Sequence, residues 1–144
     1  MKQVVPFILF VLATLKGVSQ CDAFVKQQCV PRLGDYTDIG KRNIAVLLPG
    51  DTAEIGVTFY STHHYRVVVG ATPELGKLTF RLLDRKGSVL FDSKAYNSPQ
   101  QWDFNTQATQ NVTIQVIVPK VAATQVAQTG CVGVLIGFKG DSQN

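Results

Sequence analysis

The chain has 144 residues, of which 45% are hydrophobic and 17% are charged, and its formal net charge is +4. Such a composition indicates one folded domain and excludes a disordered tail, a collagen-like repeat and a multidomain enzyme. The composition does not by itself identify a molecular activity.

The first 19 residues are predicted to be a secretory signal peptide, cleaved before Gln20. Lys2 precedes an apolar run at 4–15 that is too short to span a bilayer. Removal of Lys2 and Lys16 lowers the basic count from 14 to 12 against 10 acidic residues, so the net charge falls to +2. The remaining basic residues are scattered, which disfavours a nucleic-acid partner. No later segment is long and apolar enough to predict a transmembrane span.

Three cysteines are present, and in an exported chain two of them are expected to form a disulfide. Segment 21–30 is predicted to be helical, which would place Cys21 and Cys29 about 12 Å apart, too far for a disulfide. We therefore predict a disulfide between Cys29 and Cys131. Cys21 would then be a free or intermolecular thiol, or the lipidated cysteine of an outer-membrane lipoprotein.

From residue 43 onward, hydrophobic residues alternate with polar ones and turn residues recur every eight to twelve positions. This pattern is typical of an all-β, two-sheet antiparallel β-sandwich, jelly-roll-like, with about eight strands and one short N-terminal helix. The predicted strands are 43–48, 53–60, 64–70, 77–83, 88–93, 101–106, 111–118 and 131–139. Gly133 and Gly137 share one face of the last strand and predict a close backbone approach there. Residues 20–42 are predicted to form the helix and a wrapping segment, and 43–140 the sandwich domain.

The segments 65–69, 76–93, 102–104 and 111–116 carry a resemblance. In strand pattern and in the hairpin at 84–87, they resemble the bacterial pre-peptidase C-terminal type of β-sandwich. The segment 130–132, Gly-Cys-Val, is similar to the late strand of free-standing, signal-bearing β-sandwich proteins of Gram-negative bacteria. The resemblance covers about residues 45–138. It implies a non-catalytic accessory module of secreted proteins, some of which bind matrix protein or calcium. Because no catalytic domain is attached here, any accessory role would be exercised in trans.

No nucleophile motif or zinc-binding motif is present, so we predict no enzyme activity, no catalytic residue and no metal site. Adjacent His63 and His64 would point to opposite faces of a strand and cannot chelate one ion. No cofactor is expected; calcium is the one candidate, through Asp35 with Asp38 or through Asp51 with Glu54.

Three side chains are candidates for contact or modification. Tyr36 and Tyr96 lie in predicted loops and are candidate ligand contacts, whereas Trp102 with Phe104 is predicted to fill the core. Thr52 lies in the triplet Asp-Thr-Ala, which resembles a bacterial O-glycosylation acceptor.

The function predicted from these observations is an exported, secreted or periplasmic binding or accessory module, with a protein or polysaccharide partner at the bacterial cell surface. Two alternatives remain open. The first is a structural subunit that assembles through edge strands or a Cys21 disulfide. The second is a carbohydrate-binding module, which would require exposed aromatic side chains.

Overall fold

The structure is a computed structural model that describes residues 16–140, with side chains described from Gln20 onward. The predicted signal peptide lies for the most part outside the described residues. The helix α1, Lys16–Phe24, continues through a π-helical turn, Val25–Cys29, into a 3-10 turn, Val30–Leu33. No helix of the described part is long and apolar enough to cross a membrane.

Nine strands follow in the described part and form two antiparallel sheets. They are β1 Thr37–Asp38, β2 Asn43–Leu47, β3 Thr52–Phe59, β4 His63–Ala71, β5 Thr79–Leu83, β6 Val89–Asp92, β7 Gln101–Asn105, β8 Gln110–Ile117 and β9 Gly130–Gly140. In the five-stranded sheet, β9 pairs with β4 on one side and with both β1 and β2 on the other, and β7 lies beyond β4. The four-stranded sheet has the order β3-β8-β5-β6. The predicted two-sheet sandwich is confirmed, and β1 is a short addition within the wrapping segment.

The core lies between the sheets, where alternate residues of each strand point inward. Its largest fully buried side chains include Phe59, Phe80, Ile114 and Ile136. Trp102 and Phe104 are only partly buried and pack against the rim of this core from β7. They were predicted to fill the core, and in the structure they contribute only to its edge.

The β5–β6 hairpin turns at the predicted Asp84–Gly87 segment. One carboxylate oxygen of Asp84 accepts hydrogen bonds from the backbone N–H groups of Lys86 and Ser88, each at 2.9 Å. Gly87 adopts a φ of 83°, which is favourable only for a residue without Cβ. The side chains of Arg85 and Lys86 are consequently presented to solvent at the tip of the hairpin.

The N-terminal helical segment covers the outer face of the five-stranded sheet. Val25, Cys29 and Leu33 form a second buried cluster with Val68 and Leu135 of that sheet. The segment runs along β9, and four helical residues, which advance about 6 Å, match two strand residues, which advance about 7 Å. Successive turns therefore meet successive outward positions of the strand.

Glycines on that outer face provide the space for the helical segment. A Cβ on Gly133 would lie 2.4 Å from Cγ2 of Val25, and one on Gly137 would lie 3.0 Å from Cδ2 of Leu33. A Cβ on Gly70 of β4 would lie 2.3 Å from Sγ of Cys29. The close approach predicted from Gly133 and Gly137 is thus confirmed.

The predicted Cys29–Cys131 disulfide is wrong, since Cys21 is bonded to Cys131 with a Cα–Cα distance of 5.3 Å. The position of the helical segment along β9 explains the difference. Val25 packs on Gly133, and Cys21, four residues before Val25, therefore lies beside Cys131, two residues before Gly133. Cys29 comes one turn later, beside Gly70, where it is a free and fully buried thiol. Burial raises the pKa of that thiol, and Arg32 partly opposes the shift.

Candidate binding surfaces

An exposed apolar surface lies where the sandwich is open between β6 and β7, the edge strands of the two sheets. We define the edge patch as Val89, Leu90, Phe91, Tyr96 and Trp102. Val89, Leu90 and Tyr96 are 54%, 49% and 56% exposed. Isolated exposed apolar residues are ordinary, but adjacent ones of this size are typical of contact surfaces.

The aromatic rings of the edge patch pack on one another. The Tyr96 ring stacks on Phe91 with centroids 5.5 Å apart, and it lies 4.6 Å from the ring of Trp102. Phe91 and Trp102 are 4.9 Å apart. Phe91 and Trp102 also line an open pocket of about 300 Å³ together with Leu90, Phe104 and Gln110. Tyr96 was predicted to be a ligand contact, and such a contact must be exposed, as Tyr96 is.

The segment that carries Tyr96 is fixed to the sheet. The 3-10 turn Ser93–Tyr96 follows β6, and the buried Ser93 hydroxyl accepts a hydrogen bond from the backbone N–H of Phe80 at 2.9 Å. At the end of the turn, Lys77 Nζ donates to the carbonyl of Asn97 at 2.9 Å. A side chain held in this way loses little conformational freedom on binding, which favours a contact role.

Tyr36, the other predicted ligand contact, lies in a different and partly buried environment. Arg66 Cζ and Lys139 Nζ each lie over its ring, 4.4 Å from the centroid. Arg66 also donates two hydrogen bonds to Asp103, at 2.7 and 2.9 Å. Because both groups cover the ring, Tyr36 holds the wrapping segment against the sheet. Its role as a ligand contact stays a prediction.

The ion pair beside Tyr36 shifts the titration of both partners. The hydrogen bond from Arg66 holds the pKa of Asp103 below its usual value, and the same bond raises the pKa of Arg66. Lys139 pairs with Asp35 and lowers the pKa of that carboxyl group. The charges on this face are therefore neutralised within the fold.

A second depression lies on the outer face of the four-stranded sheet. It has a volume of about 280 Å³, and we call it the glycine trough; its lining includes Gly56, Thr58, Arg85, Asn111 and Thr113. Gly56 pairs with Thr113, and Thr58 with Asn111, in the β3–β8 ladder. Through Arg85 and Asn111 the trough adjoins a polar cleft of about 380 Å³, which Asp84, Lys86, Thr109 and Gln110 also line. This site was not predicted from the sequence, although an isolated glycine within the alternating strand 53–60 is a signal for it.

The two histidines lie on opposite faces of β4, as predicted. The His63 ring packs 6.1 Å from Tyr65 and 5.5 Å from Phe138. His64 points to the other face and contacts Asn105 through its Nδ1. Their positions agree with the prediction that the pair cannot chelate one ion.

The carboxylates considered as calcium ligands each have a local partner. Asp35 pairs with Lys139, and Asp38 accepts a hydrogen bond from the N–H of Gly40. Asp51 accepts from the N–H of Leu48, and Glu54 accepts from Gln115. Within residues 16–140, no three His, Cys, Asp or Glu side chains converge on one point.

Two predicted modification sites can be located. Thr52 is the exposed first residue of β3, and its O-glycosylation stays a prediction. The sulfur of Cys21 is engaged with Cys131, so Cys21 is not a free thiol in the structure. Lipidation through a thioether would require that same sulfur, so a lipoprotein form and this disulfide are mutually exclusive.

Comparison with known proteins identifies the fold but no family. No protein-family model matches the chain, and no curated protein matches it. Among solved structures, it is similar to PliG of Aeromonas hydrophila, a periplasmic lysozyme inhibitor of g-type lysozyme. The TM-score is 0.53 and the sequence identity 11%, over 73% of this chain and 89% of that chain. The likeness shows a shared β fold.

Proposed function

We propose that this protein is an exported, non-catalytic β-sandwich that binds a protein partner through the edge patch. The observation that carries the proposal is the exposure of Leu90 and Tyr96 beside the Trp102 ring, which packs against Tyr96 and lines one pocket together with Leu90. Tyrosine and tryptophan are enriched at residues that dominate protein–protein binding, and an apolar centre with a polar surround is the usual anatomy of such surfaces.

Three further observations support this function. A disulfide between Cys21 and Cys131 fits an oxidising compartment such as the periplasm, the cell surface or the medium. The fold resembles that of a protein whose partner is an enzyme, a g-type lysozyme. The pre-peptidase C-terminal resemblance likewise implies an accessory role beside secreted enzymes. An extracytoplasmic enzyme is therefore the partner class that we propose, and g-type lysozyme is the first to test.

Site-specific photo-crosslinking in cells tests the surface and captures the partner in the same experiment. A benzophenone amino acid is placed at Tyr96 or, as the control, at Val126, which is 86% exposed and lies outside the edge patch. In cells that make the protein, irradiation should join a second protein to position 96 and not to position 126. Equal adducts from the two positions would contradict the proposal.

Substitutions then test the energetics with the partner so identified, or with g-type lysozyme. Leu90→Asp and Tyr96→Ala are expected to weaken binding by about 30-fold, since central interface residues contribute about 2 kcal/mol or more. Val126→Asp introduces the same charge on an exposed apolar residue elsewhere and should leave the affinity unchanged. If the lysozyme is neither bound nor inhibited, that candidate partner is excluded, whereas the crosslinking result still decides the surface.

A further inference from the structure

Gly56 differs from the other glycines of the described strands. Those at 70, 130, 133 and 137 have neighbouring atoms that leave no room for a Cβ, and Gly140 is the last residue of β9. Gly56 lies in the middle of β3, and a Cβ built there would meet no atom within 4 Å. Its φ is not positive either. Neither packing nor backbone conformation therefore explains a glycine at this position.

A glycine in a strand interior is unfavourable, because it loses more conformational freedom on folding than other residues do. Where internal packing does not require it, such a glycine often marks the close approach of a ligand. The missing side chain of Gly56 leaves open the trough between Thr58, Thr113 and Arg85. The trough is thus the consequence of a residue that the fold itself does not need.

The side chains that line the trough include a guanidinium, a primary amide and two hydroxyl groups. Thr58 donates its hydroxyl hydrogen to Oδ1 of Asn111 at 2.7 Å, which orients the amide and leaves its NH₂ group for a ligand. At the hairpin, the Asp84 oxygen is occupied by two backbone N–H groups. Arg85 has no ion-pair partner among residues 16–140. A guanidinium and a primary amide together favour a ligand with a carboxylate.

We propose that the glycine trough binds an acidic sugar residue of a polysaccharide. The carboxylate would pair with Arg85, and the ring would lie over Gly56, where no side chain intervenes. Hydroxyl and amide side chains around it both donate and accept, as vicinal sugar hydroxyls require. The adjoining cleft, reached past Arg85 and Asn111, gives room for the next sugar of the chain. No residue that lines the glycine trough belongs to the edge patch, so the proposal does not depend on the protein partner.

Calorimetric titration of the mature protein with a hexuronic acid trimer tests the proposal. A neutral hexose trimer and a glutamate-rich peptide serve as the comparison probes. The uronate is expected to bind, with an affinity that falls as ionic strength rises, and at least about tenfold more tightly than either comparison probe.

Two pairs of variants locate the site. Gly56→Val fills the trough and should weaken uronate binding at least tenfold without lowering the melting temperature. The control is Thr52→Val, on the same face of β3 but outside the trough, which should bind uronate as the wild type does. Arg85→Gln should weaken binding by about tenfold, because a charge-assisted hydrogen bond is lost. Lys120→Gln removes the same charge from a position that lines neither cleft and should have no effect.

Several outcomes would overturn the proposal. These are no uronate binding at millimolar concentration, equal binding of the neutral trimer, tighter binding of the peptide, or wild-type affinity in a folded Gly56→Val protein. None of them bears on crosslinking from position 96, so the two proposals fail independently.

Discussion

The two sheets expose their outer faces to different extents, and glycine serves opposite purposes on them. On the five-stranded sheet, Gly70, Gly133 and Gly137 give space to the N-terminal helical segment, which buries that face. On the four-stranded sheet, no described element covers the outer face, and Gly56 faces open space. Glycine therefore makes room for an internal contact on the five-stranded sheet, whereas on the four-stranded sheet it leaves an open depression.

The two outer faces also differ in whether their polar and aromatic side chains already have partners within the fold. On the covered face, Tyr36 and Asp103 are engaged by Arg66, and Lys139 reaches both Tyr36 and Asp35. On the open face and at the adjoining edge, Arg85 and Tyr96 are presented to solvent by rigid turns. Groups that the fold has already satisfied are poor candidates for binding, whereas fixed and exposed groups are good ones. Four stability predictions test this division, from the largest expected effect to the smallest.

The largest effect is expected from the disulfide that ties the helical segment to the covered face. Cys21→Ala should lower the free energy of unfolding by about 2–5 kcal/mol, because the bridge closes a loop across 110 residues. The melting temperature of this variant should no longer respond to reductant. Cys29→Ala, which lacks only the free thiol, should retain the response. The reverse behaviour of the two variants would restore the Cys29–Cys131 pairing.

The next effect is expected at the closest approach of the helical segment. Gly133→Ala should destabilise by about 3 kcal/mol, because its Cβ would lie 2.4 Å from Cγ2 of Val25. Val25→Ala removes that atom, so the double variant should recover about 1 kcal/mol or more relative to additivity in urea denaturation. Gly140→Ala, on the same strand with no atom within 4 Å, is the control. Strict additivity would exclude this contact.

A smaller effect is expected from the Arg66–Asp103 pair. Asp103→Asn should lower stability by about 1 kcal/mol at neutral pH, since the side chains are 20% and 47% exposed. The pKa of Asp103 is lowered in the folded state, so the pair contributes fully above the unfolded-state value of about 4. The contribution is lost as pH falls through the lower folded-state value. Urea denaturation curves of variant and wild type should therefore converge in acid; a constant difference would refute the assignment.

The smallest effect should have the opposite sign. Gly56→Ala is expected to raise the free energy of unfolding by about 0.5–1 kcal/mol, because the new Cβ meets no neighbour and the unfolded chain loses freedom. The measurement is the denaturant midpoint at unchanged slope. A loss of stability would mean that the fold needs glycine at this position, and the contrast between the two faces would fail.

The sequence predicted local structure well, for a clear reason. Alternation in segments such as 77–83 and 111–118 reflects burial of one face, and that is a local property of a strand. The hairpin turn followed from Asp84 and Gly87, whose chemistry acts within four residues. Tyr96 was identified as exposed because it lies in a short polar connection.

The errors concern contacts between segments that are distant in the sequence. The residues around Cys21 and Cys29 do not indicate which of the two forms the disulfide with Cys131. The pairing depends on how the helical turns pack on the glycines of β9. The environment of Tyr36 could not be predicted from the sequence either, since the two cations over its ring, Arg66 and Lys139, belong to β4 and β9. The glycine trough joins β3, β8 and the β5–β6 hairpin, which become neighbours only in the folded sheet.

The sequence by itself therefore determined the β-sandwich class, the strands and the main turn, because each depends on periodicity or on a few adjacent residues. The tertiary structure alone decided the disulfide partner, the closure of one outer face and the openness of the other. These features depend on the register between a helix and a strand and on the order of strands in a sheet. Such contacts are set by the packing of the whole chain; glycines such as Gly56, Gly133 and Gly137 indicate where they occur, but no local pattern identifies the partner.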